Sequence, residues 1–160
     1  MTKSKKKIFL FGGSGMLGSM VLCYLSRTGQ YEIHVFVRRD DFNVPYQEDL
    51  YIHQLDNLID PDGKELKKYF FDIKPSYAIN CVGLIKQKVS SELEYIRVNA
   101  LLPHYLNDLC RSVKSKLIHF STDCVFTGEK GFYSEIELPD ASDMYGRSKL
   151  LGEVVSNGAL

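Results

Sequence analysis

The sequence predicts an α/β fold: a doubly wound parallel sheet with its strands in the order 3-2-1-4-5. Three observations carry that expectation. Short runs rich in β-branched and aromatic residues alternate with longer segments of helical period, as a parallel sheet covered by helices requires. The first of these runs ends in a glycine-rich turn, "FGGSGMLG", directly before a helical segment. The chain has 160 residues, enough for one domain that buries roughly 70% of its unfolded surface.

The first strand is read as "KIFLFG", residues 7–12. The helix after it, "GMLGSMVLCYLSRTG", sets Met16, Leu17, Met20, Val21, Tyr24 and Leu25 at helical spacing, with Gly29 as its C-terminal cap. "EIHVFVR" over 32–38 and "YIHQL" over 51–55 are the second and third strands. A crossover helix in "DGKELKKYFFDIKP" stops before Pro75. "YAINCVG", 77–83, is the fourth strand, followed by a helical stretch from 91 to 113 in which Pro103 marks a kink or a start. "KLIHFST", 116–122, is the fifth. The last helix begins at Ser142 or Asp143, either of which can cap it, and runs through Tyr145 into "SKLLGEVV".

No repeat or low-complexity linker divides the chain, so residues 1–160 read as one domain. Sheets of this kind normally continue with further strands and a region that holds the substrate. The chain therefore reads as the front part of something longer, with an open sheet edge that invites self-association.

Composition excludes several classes of partner. With 44% hydrophobic residues, 25% charged residues and no net charge, nothing calls for nucleic acid. The basic stretch "KSKKK" is a solvated terminus, "IFLF" is too short for a signal peptide, and no apolar run approaches the roughly 18 residues of a membrane span. Cys23, Cys81, Cys110 and Cys124 lack C-x-x-C spacing and read as reduced core thiols of a cytoplasmic protein. His34, His53, His104 and His119 are too dispersed for a metal cluster, and no metal is expected.

The glycine turn fits two registers, Gly12-x-x-Gly15-x-x-Gly18 and Gly13-x-Gly15-x-x-Gly18. Between strand and helix, such a turn lets the backbone approach a pyrophosphate closely, while the N–H groups and dipole of the helix favour the anion. The expectation is a Rossmann-like, dinucleotide-binding domain in which Gly12, Gly13, Ser14, Gly15, Met16, Leu17 and Gly18 form the cradle. The second strand ends in "VRRDD". Arg38 and Arg39 at that position suit a 2′-phosphate and so prefer NADP(H), while Asp40 and Asp41 keep NAD(H) open. Asp56, with Asn57 beside it, is placed for the adenine edge or simply caps a helix.

Tyr145 and Lys149 are four apart on the last helix and so share a face. A phenol ordinarily titrates near 10, and a cation beside it stabilises the phenolate. Thr122 lies at the carboxyl end of the fifth strand, where open α/β sheets bind their ligands, and its hydroxyl could hold a substrate carbonyl.

In "GGSGMLG", "INCVG", "VNA", "STDCVFTGEKGFYSE" and "YGRSKLLGE" the chain resembles the extended short-chain dehydrogenases/reductases, and within them the dTDP-4-dehydrorhamnose reductase group. That resemblance implies Thr122, Tyr145 and Lys149 as the catalytic set with Asp123 assisting, Lys149 also on the nicotinamide ribose, Cys81, Val82 and Gly83 beside the cofactor, and Asn99 as structural. It implies NADP(H)-dependent reduction of a keto group on a nucleotide-activated deoxysugar, in polysaccharide or cell-surface sugar biosynthesis, by a protein that could form a homodimer. "GLIKQKVSSELE" replaces the group's alanine-rich segment and leaves the sugar open. An NAD-dependent nucleotide-sugar epimerase or dehydratase, and a non-catalytic dinucleotide-binding regulatory subunit, are the competing readings.

Overall fold

A computed structural model of the chain describes residues 4–38, 48–59, 64–85 and 91–154. Five parallel strands, β1 (Lys6–Phe11), β2 (Tyr31–Val37), β3 (Leu50–Gln54), β4 (Tyr77–Asn80) and β5 (Lys116–His119), form one sheet. Their order is β3-β2-β1-β4-β5, as predicted.

Parallel strands covered on both faces are apolar throughout rather than alternating, and β1 reads that way. Its residues divide between two layers. Phe9 and Phe11 point into one, with Phe36, Leu66, Phe70, Leu106 and Leu117. Ile8 and Leu10 point into the other, with Leu22, Ile33, Val35, Val37 and Ile79. The first layer is aromatic: the Phe9 ring lies edge-on to both Phe36 and Phe70 at 4.9 Å. It is roofed by α2 (Lys64–Ile73) and by a long helical rod. The second layer is roofed by α1 (Met16–Thr28).

Three expectations need correction. The strands end earlier than read, because Gly12 leaves β1 with φ +81° and Asn80 folds its Oδ1 back onto the Val82 N–H (3.1 Å). The residues after β4 and β5 thus become loops at the carboxyl edge, and Thr122 lies three residues beyond β5. On α1 the buried residues are Gly18 and Leu22, while Met16, Met20 and Tyr24 face outward. The helix lies so close to the turn below that only a glycine fits at the contact. Gly29 does close α1 in the left-handed conformation.

The rod, the helical stretch after β4, is present as predicted, with Pro103 at the start of its last segment, and adds a π turn. It consists of α3 (Glu92–Tyr95), a π turn (Ile96–Leu101) and α4 (Leu102–Ser112). The Ser91 side chain caps its start by accepting the Glu94 N–H. Pro103 explains the wide turn, since its ring cannot approach the carbonyl four residues back and has no N–H to give. Third, of the cysteines only Cys110 is buried, Cys81 and Cys124 are half-buried and Cys23 is exposed. Burial pushes the Cys110 thiol up to about 12.

The last helix, α5 (Met144–Leu151), is capped by Asp143, which accepts the Gly146 N–H at 2.9 Å. It ends at Gly152, short of the predicted "EVV", where the chain meets the rod. A Cβ at Gly152 would lie 1.9 Å from the Asn99 carbonyl oxygen. Among the described residues no helix is long and apolar enough to cross a membrane.

Candidate active site

The glycine turn is built around two contacts. Gly12 turns the chain, and its carbonyl accepts the Gly15 N–H at 2.9 Å. A Cβ at Gly18 would sit 2.1 Å from that same carbonyl oxygen. Gly18 therefore lies beneath the turn and fixes how closely α1 approaches it. Gly15 is the N-cap of α1 and offers no side chain to the first helical N–H groups, and no acidic residue lies in the first turn. Those N–H groups and the helix dipole favour an anion at this end.

Gly12, Ser14 and Gly15 open into a cleft of about 730 Å³ along the carboxyl edge of the sheet. Its other walls come from Phe36, Val37 and Arg38 after β2, from Leu55, Asp56 and Asn57 after β3, and from Cys81, Val82 and Gly83 after β4. Of the remaining cradle residues, Gly13 is buried, while Met16 and Leu17 are exposed in the first turn of α1 without lining the cleft. Arg39 lies outside the described residues, as do Asp40 and Asp41. Asn57 spends its Oδ1 locally, on the Ile59 N–H at 3.1 Å.

Two buried asparagines hold the wall after β4. Asn80 Oδ1 accepts from Val82, and its Nδ2 lies 3.1 Å from His119 Nδ1. Asn99 accepts the Leu84 N–H (2.8 Å) and donates to the Leu84 carbonyl (3.1 Å) and to Ser148 Oγ (3.2 Å). The π turn, the cleft wall and α5 are thus tied at one residue.

On α5, Tyr145 is half-buried with its ring edge-on to Tyr95 at 6.3 Å. Lys149 is only 6% exposed. Its Nζ donates to the Phe120 carbonyl at 2.6 Å, just past the end of β5. Burial lowers its pKa from the usual 10.5, opposed by Glu153. A surface Y-x-x-x-K pair would leave the ammonium in water, whereas here it is drawn onto the carboxyl edge.

Thr122 caps a short 3₁₀ turn (Asp123–Val125). Its hydroxyl accepts the Cys124 N–H at 3.2 Å and donates to Asp123 Oδ1 at 3.2 Å. Thr122 and Asp123 line a second cavity of about 410 Å³ rather than the large cleft, together with Ser121, Phe126, Glu135, Glu137 and Glu153. Tyr145 and Lys149 line neither cavity. The predicted residues therefore divide among a large cleft, a smaller one and a buried lysine. The large cleft also takes in Leu84, Glu94, Arg97, Val98 and Leu102, which sequence reasoning did not select. Helical spacing at 94, 97, 98 and 102 was available as a signal.

A family model described as "NAD dependent epimerase/dehydratase family" matches residues 8–157. Over 149 residues the chain is 31% identical to a probable low-salt glycan biosynthesis reductase of Haloferax volcanii, covering 91% of this chain and 47% of the relative. It is 26% identical to a dTDP-4-dehydrorhamnose reductase of Mycobacterium tuberculosis, covering 96% and 46%. The solved dTDP-4-dehydrorhamnose reductase of Bacillus anthracis, in complex with NADP, superposes with a TM-score of 0.74 at 23% identity, over 95% of this chain and 49% of that one. The chain spans about half the length of the relatives it matches.

Proposed function

The chain belongs to the NAD dependent epimerase/dehydratase family, and from that premise we propose that residues 1–160 form the dinucleotide-binding domain of an NADP(H)-dependent reductase acting on a keto group of a nucleotide-activated sugar. The observation that carries this reading is Lys149, buried and anchored on Phe120 one turn from Tyr145. Burying an ammonium costs stability unless it is paired, and the Phe120 carbonyl is a neutral partner, so a structural role alone does not account for it.

The residues fit a nicotinamide dinucleotide. The turn at Gly12 and Gly15 with the uncapped start of α1 suits its pyrophosphate. Arg38 suits a 2′-phosphate, and Cys81, Val82 and Gly83 supply a wall. When bound, the group supplies the hydride. The chain's own residues do the rest: Tyr145 donates a proton to the sugar oxygen as negative charge develops there, and Lys149 stabilises the phenolate left behind. Thr122 orients the oxygen after its hydroxyl turns from Asp123, and Asp123 assists.

The test is consumption of NADPH by the native protein with dTDP- and UDP-linked 4-keto hexoses. The reductase reading expects stoichiometric loss of NADPH and free exchange of the cofactor. The second reading, favoured by the family to which the chain belongs, is an NAD-dependent epimerase or dehydratase. Tightly held NAD released on denaturation, with no net NADPH consumption, would replace the first reading by the second.

A further inference from the structure

We infer that Arg97 binds the adenine ring of the dinucleotide, as a contact separate from Arg38; this rests on the dinucleotide-binding reading above. Arg38 enters the cleft from the end of β2, whereas Arg97 enters from the helical rod on the other wall. Its place there follows from helical spacing and the π turn together. Residue 97 is three after 94 and so neighbours it on the helical face that also carries 98. Here the Leu102 N–H bonds to the Arg97 carbonyl, five residues back. The wider turn aligns Arg97 with Leu102 while Asn99 stays buried toward α5, bonded to Leu84 and Ser148. A single π turn thus serves two faces, and such turns recur at functional sites.

The wall chemistry selects the base rather than a phosphate. Val98, Leu102, Leu58 and Ile59 line the same cleft as Arg97, with Glu94 one turn before it on the rod. A flat heteroaromatic ring fits that surface. Asp56 offers an acceptor to an exocyclic amine in the same cleft, and a planar guanidinium stacks on a purine and donates to its ring nitrogens. Arg97 is exposed, and no ion pair among the described residues engages its guanidinium. Ribose recognition belongs to the end of β2, which is Arg38's position.

The experiment measures dissociation constants of the full chain for NADP⁺, NAD⁺ and AMP by calorimetry, in the wild type, Arg97→Gln, Arg97→Lys and Arg38→Gln. Arg97→Gln is expected to weaken all three ligands alike, by roughly two- to fivefold for one cation–π contact at an exposed arginine. Arg97→Lys is expected not to restore binding, because a point charge lacks the planar face. Arg38→Gln is expected to weaken NADP⁺ alone. Unchanged binding in Arg97→Gln, a loss confined to NADP⁺, or full rescue by lysine would each overturn the assignment while leaving the dinucleotide reading intact. Failure of the wild type to bind any of the three would overturn that reading itself, and the inference with it. Because Arg97 is exposed, its variants should melt with the wild type.

Discussion

The Tyr145–Lys149 pair was legible in the sequence as two residues four apart, but the burial of Lys149 was not. It depends on Phe120, 29 positions earlier, presenting its carbonyl at 2.6 Å. Lys149→Met keeps the length of the side chain and removes the desolvated charge, so the fold should retain its stability while turnover falls at least about tenfold. Unfolding in urea and steady-state kinetics on the same preparation check both halves. A large loss of stability would mean that the lysine serves the fold and not the chemistry. Arg97 shares a helical face with Glu94 by its spacing of three, but nothing in the sequence marked that face as a cleft wall.

Among the elements, all five strands and their order were readable, because parallel strands buried on both faces announce themselves as apolar runs between helical periods. Their carboxyl ends were not readable. At β4 and β5 the apolar text continues past the ladder into loops that serve the site, and the composition of the two is alike. The face of α1 was read only in part: Val21 and Leu25 pack on the core, but Met16, Met20 and Tyr24 face outward, because the contact is made where Gly18 permits it. That contact is testable. Gly18→Ala places a methyl 2.1 Å from the Gly12 carbonyl oxygen, and helix and turn must separate. The expected cost is about 1–3 kcal/mol, with weaker dinucleotide binding, measured by urea unfolding and calorimetry. Wild-type stability and affinity would show that the helix has room to shift.

For the whole molecule, one buried and two half-buried histidines set a pH dependence that their dispersed positions in the sequence did not disclose. The sheet brings His34 Nδ1 to 2.8 Å from His53 Nε2, with Glu32 on the other side of His34 at 2.9 Å and Lys7 3.6 Å from Glu32. His119 lies against Asn80 and feels the Lys149 charge. Burial, the largest cause in each, lowers all three from the usual 6.5, to about 4 for His53 and His119. The folded chain thus keeps them neutral while the unfolded chain takes up protons near 6.5. Their contribution is complete above that pH and is lost progressively as pH falls toward about 4. Urea unfolding across this window should show falling stability, with a shallower slope in His53→Gln; the same slope in both would refute the assignment. The proposal that Tyr145 donates the proton of a reductase is checked by comparing Tyr145→Phe with the wild type in the native protein. It expects NADPH affinity to be retained while turnover of the keto sugar falls at least about a hundredfold, and equal turnover in the two proteins would contradict it.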